Sequence, residues 1–196
     1  MINETIQAHF AESIQTKIVA AEALPEAIEK AAKALSEALL RGNKILVCGN
    51  GGAAALAQIF VAHLLNKYET NRPALPAIAI TADSVLISAI ATDSHFDEIY
   101  AKQLSAIAQS GDILMAISHG GNSRNMIRAV ETALSKSIQL VVLNGVDGGE
   151  LAGLLGSDDI EIRAPSDKGS RIEEVHLLVI NCLSDLIDQQ LFLKIE

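Results

Sequence analysis

From Lys44 onward the chain returns to one pattern: the short apolar runs "KILVCG", "PAIAIT", "DILMAIS" and "IQLVVLNG", with a fainter fifth in "DIEIRA". Segments of helical length and pattern separate them. A run that is apolar at consecutive positions is buried on both faces, and parallel strands covered by helices on each side meet that condition. The expectation is therefore an α/β protein, a three-layer α/β/α doubly wound parallel sheet. At 196 residues the chain suits one structural unit with added elements packed onto it.

Those added elements lie at the two ends. Ile6, Phe10, Ile14 and Ile18 recur every four residues, and "LPEAIEKAAKALSEALLRGN" opens with Pro25 and closes at Gly42. Proline suits a first helical turn, where its missing N–H is no loss, and glycine suits the residue after the last turn. Residues 1–42 thus read as an N-terminal helical arm packing on the core and a subunit interface, and residues 43–196 as the α/β domain. The final segment, "SRIEEVHLLVINCLSDLIDQQLF", is apolar around most of a long C-terminal helix and must be covered from most sides. Burial within one subunit would satisfy it. So would a closed homo-oligomer using this helix and the arm.

Composition excludes several classes of partner. Aromatic residues are 3% of the chain and the net charge is −9, which argues against base stacking and against contact with nucleic-acid phosphates. The start of the chain lacks a basic segment leading into an apolar run, and no apolar stretch of about 18 residues occurs, so neither a signal peptide nor a membrane span is expected. A cytoplasmic location follows as the simplest expectation. Cys48 and Cys182 fall in separate apolar segments without metal-type spacing and read as two buried thiols.

In an open parallel sheet, ligands bind beyond the carboxyl ends of the strands. Two loops there are rich in glycine. "GNGGAA" places Asn50, Gly51 and Gly52 before a helix, and "SHGGNS" places Ser118, His119, Gly120 and Ser123 before another. Glycine lets the backbone approach a ligand, and a helix start directs N–H groups at an anion. Purely structural turns are the alternative. His9, His95 and His176 stand singly without metal-type spacing, whereas His119 sits where an imidazole can meet an anionic ligand.

"GNGG" before a helix, "RPALPAIAI", "ISHGGNS", "GVDGGELAGL" and "RIEEVHLLVINCL", in this order across nearly the whole chain, resemble the sugar isomerase (SIS) domain family, in its sedoheptulose 7-phosphate isomerase branch. The resemblance implies a flavodoxin-like sandwich and a homotetramer. It is strongest toward members that associate with the replication initiator DnaA, through "ESIQTKIVAAEALPEAI", "GNKILVCGNG", "DGGELAGLLG" and "CLSDLIDQQLF".

The isomerase branch implies a zinc site made by a His and a Glu four residues apart on the helix after "GNGG", and by a Gln and a His on the last helix. The matching positions here are Ile59, His63, Glu173 and Asn181, and all four differ. Isoleucine ligates nothing, and an asparagine amide is no base near neutral pH. His63 and Glu173 retain titratable groups that could act alone. Family enzymes also carry Ser where Ala53 stands, and "STSGNS" where this chain reads "SHGGNS". No catalytic residue, no cofactor and no metal are expected, and sugar-phosphate binding through the two loops would be vestigial or regulatory.

The remaining function would then lie on the surface. Leu191, Phe192, Leu193 and Ile195 cluster near the carboxyl end, where apolar residues contribute least to a core and suit contact anchors; Leu191 and Phe192 closing the last turn against their own subunit is the alternative. The resemblance assigns Leu191 and Phe192 to DnaA binding. It implies a non-enzymatic scaffold that binds DnaA and promotes its assembly at the chromosomal origin without contacting DNA. A phosphoheptose isomerase and a sugar-phosphate sensor stand as alternatives.

Overall fold

The computed structural model describes residues 2–192. In it the chain forms α1 (Ile2–Ala23), α2 (Pro25–Leu40), β1 (Ile45–Gly49), α3 (Gly52–Leu65), β2 (Ala77–Ala79), α4 (Ser84–Asp93), α5 (Ala101–Ile107) and β3 (Ile113–Ile117). There follow α6 (Arg124–Ser135), β4 (Gln139–Asn144), α7 (Gly149–Ala152), β5 (Ile160–Arg163) and α8 (Gly169–Phe192). A single turn of 3-10 helix, Phe96–Glu98, links α4 to α5.

All five strands pair in parallel, in the order β2-β1-β3-β4-β5. Every one of the five apolar runs is a strand. Ile45 opposes Ile113, which opposes Gln139, so the three central strands keep one register. Alternate residues then separate onto two faces. Ile45, Val47, Ile113, Met115, Val141 and Leu143 face a core closed by α2, α3 and α8. Leu46, Cys48, Leu114, Ala116, Leu140 and Val142 face a second core closed by α5 and α6. The observed architecture is the expected three-layer parallel sandwich.

Local chemistry fixes the joints. Pro25 begins α2, and Gly42, at φ +82°, ends it. The Gly42 N–H donates to the Leu39 carbonyl and the Asn43 N–H to that of Ala38, both at 3.0 Å, the two bonds of a Schellman cap. Asp112, just before β3, accepts from the Lys44 N–H at 3.0 Å, the Lys44 ammonium at 2.6 Å and the Gln109 N–H at 2.8 Å. This buried carboxylate thereby ties the start of β1 to that of β3.

The arm is only partly engaged. Ala20 is its buried residue, and polar groups join it to α8, Ser13 and Lys17 with Glu174 and the His9 carbonyl with Arg171, and to Lys168 just before α8 through Glu12. Ile6, Phe10, Ile14 and Ile18, the every-fourth-residue stripe, remain 49–67% exposed. Between α1, α2 and α8 runs an apolar groove of about 660 Å³, lined in part by Leu24, Ile28, Leu178 and Cys182. Cys48 is buried as expected, but Cys182 is only half-buried, which corrects the sequence reading. Among the described residues, the groove leaves its side of α8 only partly covered by α1 and α2. Burial raises both thiols, Cys48 to about 12. Among the described residues no helix is long and apolar enough to cross a membrane.

Candidate functional site between the two glycine loops

The strand order reverses direction at β1 and β3, and a crevice opens where successive connections leave a sheet on opposite faces. Both glycine loops stand there. A cavity of about 320 Å³ is lined by Asn50 and Ala53 from the first loop and by Ser118, His119, Gly120 and Ser123 from the second. Gly51 caps α3 at φ +56°, a conformation that favours glycine, and Gly52 is the first helical residue. These two do not line the cavity. Gly52 instead backs onto the carboxylate of Glu173, whose Oε1 would lie 2.0 Å from a Cβ at that position.

Several of the expected groups are already engaged. The Ser118 hydroxyl accepts from the Gly121 N–H at 3.0 Å and so braces the second loop. Ser123 caps α6 by its backbone while its side chain makes no cap bond, leaving the hydroxyl at the cavity. His119 Nε2 lies 3.2 Å from Glu173 Oε1, close enough for an ion pair but not aligned as a hydrogen bond. The two loops are thus joined to α8 by a carboxylate and an imidazole.

Four residues matter here that the sequence reading did not single out. The amides of Asn50 and Asn125 bond reciprocally, Nδ2 to Oδ1, at 2.8 Å in each direction. Tyr100 donates its hydroxyl to the Gly49 carbonyl at 2.6 Å and sits 3.1 Å from Asn50 Oδ1. Burial pushes this phenol up, beyond the usual tyrosine range. Asn122 Oδ1 accepts the Glu150 N–H at 2.9 Å, and Asn144 donates to the Gly148 carbonyl at 2.5 Å. The signal available in the sequence was the asparagine recurring beside each glycine run, in "GNGG" and in "GGNSRN".

The stretch "GVDGGE" also acquires a physical task. A Cβ at Gly121 would lie 2.0 Å from the Gly148 carbonyl oxygen, and one at Gly149 would lie 2.1 Å from that of Gly120. The two backbones pack with no room for side chains. The Leu151 N–H donates to the Gly121 carbonyl at 3.0 Å, so α7 and the turn that enters it buttress the second glycine loop.

The positions at which the resemblance places a zinc site do not fit a metal. Ile59 has no donor atom. His63 Nδ1 is 3.1 Å from the Ser184 hydroxyl, which donates to the Ile180 carbonyl, so His63 is the donor and its ring is turned to α8. Glu173 pairs with His119, and Asn181 offers only an amide. His176 is fully buried; its Nε2 donates to the Asn144 carbonyl at 3.0 Å, and burial lowers its pKa to about 4, so it is neutral at physiological pH. Among the described residues no group of three or more His, Cys, Asp or Glu side chains is placed to hold a metal ion.

Of the partner-binding pair, Leu191 is half-buried against the core shared by α2, α3 and α8, and Phe192 is 37% exposed. Leu193 and Ile195 lie outside the described residues.

Comparison with known proteins agrees with this architecture. The SIS domain family model matches residues 9–145. The DnaA initiator-associating protein DiaA of Photorhabdus laumondii is 57% identical over 189 residues, 96% of each chain. The protein of that name from Yersinia pestis is 58% identical over the same share. Among solved structures, a phosphoheptose isomerase from Francisella tularensis superposes with a TM-score of 0.94 at 44% identity, covering 96% of this chain and 99% of that one. Phosphoheptose isomerase GmhA from Neisseria gonorrhoeae gives 0.92 at 39%, covering 96% and 100%.

Proposed function

The chain belongs to the SIS domain family, and from that premise we propose that it is a non-catalytic, cytoplasmic homotetramer that binds the replication initiator DnaA and promotes its assembly at the chromosomal origin. The observation that carries this reading is the chemistry at Ile59, His63, Glu173 and Asn181. Moving a sugar carbonyl between adjacent carbons needs a base within reach of the substrate proton and an electrophile for the enediolate. Here His63 is hydrogen-bonded to Ser184, and Glu173 faces His119. The identity to proteins named for association with DnaA supports the same reading.

Self-association is supported by the exposed stripe Ile6, Phe10, Ile14 and Ile18, whose apolar area invites cover by further copies. Residues 1–42 act in this reading as the interface arm of the domain formed by residues 43–196. Leu191 and Phe192 form the docking anchor, with Leu191 seated in its own subunit and Phe192 offered to the partner. Four anchors on one assembly raise the effective concentration of bound initiator molecules without any contact to DNA, which suits a net charge of −9.

The test is capture of purified DnaA by wild type and by Leu191→Ala/Phe192→Ala. Strong loss in the variant is expected, and equal retention would sink the assignment of the site. A second reading, phosphoheptose isomerisation, is favoured by the likeness to solved isomerases at 44% and 39% identity. Turnover of sedoheptulose 7-phosphate, together with zinc found by elemental analysis, would establish it in place of the first. A sugar-phosphate sensor using Asn50, Gly51, Gly52, Ser118, His119, Gly120 and Ser123 would show as thermal stabilisation by a sugar phosphate without turnover.

A further inference from the structure

We propose that Arg72 is the positioning residue for the Phe192 anchor, an inference that rests on the reading of Phe192 as a partner contact. Arg72 lies in the loop between α3 and β2, and its side chain is 1% exposed. Its Nε donates to Asp188 Oδ1 at 2.8 Å. Nη1 donates to the carbonyls of Leu64 at 2.6 Å and Pro73 at 3.1 Å, and Nη2 to that of His63 at 2.6 Å. The guanidinium therefore closes the carboxyl end of α3, where carbonyls lack helical partners, and grips α8 from the same point.

Phe192 stands one helical turn beyond Asp188, with the Arg72 Cζ 5.9 Å from its ring centroid, within cation–π range. Ser184 stands one turn before Asp188 and is held by His63. Residues 184, 188 and 192 form one stripe of α8, and α3 with its following loop secures all three. A helix end without such ties frays, and an aromatic anchor on a fraying turn must be ordered before it can bind. Arginine suits this place because its planar fork makes the four bonds while its Cζ stays over the ring; the single ammonium of lysine keeps the charge but cannot reach all four acceptors and hold that position at once.

The experiment compares Arg72→Lys, Phe192→Leu and the double variant for affinity to DnaA. Arg72→Lys weakens binding roughly three- to tenfold, the change that loss of a partly desolvated cation–π contact represents, and adds nothing in the Phe192→Leu background. Wild-type affinity in Arg72→Lys, or additive losses, would overturn the proposal. An independent arm labels the protein with 4-fluorophenylalanine and follows the Phe192 resonance, identified by its absence in Phe192→Leu. That resonance moves in Arg72→Lys; an unmoved resonance overturns the positioning role even if wild type does not bind DnaA, which would instead count against the functional reading. Should Arg72→Lys fail to fold, Arg72→Met/Asp188→Leu removes both buried charges together and takes its place in both arms with the same expected outcomes.

Discussion

Glu173, on α8, places Oε1 3.2 Å from Nε2 of His119, on the loop after β3, and the same carboxylate covers Gly52 at the start of α3. Glu173 does not line the crevice, but His119 does, so a phosphate bound there would feel this carboxylate through the imidazole between them. Glu173→Gln removes the charge and keeps the shape. Inorganic phosphate and sugar phosphates are then expected to bind roughly three- to tenfold more tightly than to wild type, the effect of one unit charge a few ångströms away in a partly hydrated site. Thermal-shift titration checks it; indistinguishable titrations would show that the carboxylate does not govern the loops.

Gly49 and Gly52 make a contrasting pair. A Cβ at Gly49 would lie 2.8 Å from backbone atoms of Ala53, which cannot move without unwinding the start of α3. A Cβ at Gly52 meets only the mobile end of Glu173. Gly49→Ala is expected to cost about 1–3 kcal/mol by overpacking, and Gly52→Ala distinctly less, because Glu173 can rotate away. Urea denaturation of the two variants decides the order.

His176 sets an acid limb. Its folded pKa of about 4 lies below the ordinary value of 6.5, so between these the unfolded chain holds a proton that the native protein does not. Stability therefore falls as pH drops from about 6.5 to about 4, by on the order of 3 kcal/mol from this residue. His63, lowered by burial and by Arg72, slopes in the same direction. His176→Gln should flatten the limb in urea melts across that range; an unchanged slope would assign it elsewhere.

Asp112 acts lower on the scale. Burial would raise its carboxyl, but hydrogen bonds from Lys44 and the Gln109 N–H outweigh that and hold it below the ordinary range. Its contribution is present above the unfolded value and is lost as pH falls through the folded one. At neutral pH, Asp112→Ala strips partners from two backbone N–H groups and a lysine, and an expected loss of about 2–4 kcal/mol follows. Chemical denaturation measures it.

Phe10, 67% exposed on α1, tests the assembly. Phe10→Asp places a charge in the stripe that further copies would cover, while touching little of its own subunit. The particle mass in solution, read by light scattering, should be smaller for the variant than for wild type, with the circular dichroism spectrum retained. An unchanged mass would remove α1 from the interface.

The sandwich was legible because its determinants are local. Consecutive apolar residues such as Leu46–Val47–Cys48 can only be buried on both faces, and Pro25 and Gly42 bound α2 through their own backbone preferences. Both glycine loops could be located for the same reason, since a strand, a turn and a helix follow one another in sequence. What could not be read was which distant groups meet there. Sheet order β2-β1-β3-β4-β5 brings Asn50 to Asn125 across 75 positions and the loop before α7 under Gly121. The path of α8 brings Glu173 over Gly52, Ser184 to His63 and Asp188 to Arg72. Each pairing depends on packing of elements far apart in the chain, and nothing in the residues beside His63 or Arg72 names its partner. The sequence determined the strands, the caps and the lack of a donor atom at Ile59; tertiary structure alone decided that His63 and Arg72 fasten the last helix, because only the folded sheet sets the distance between them and α8.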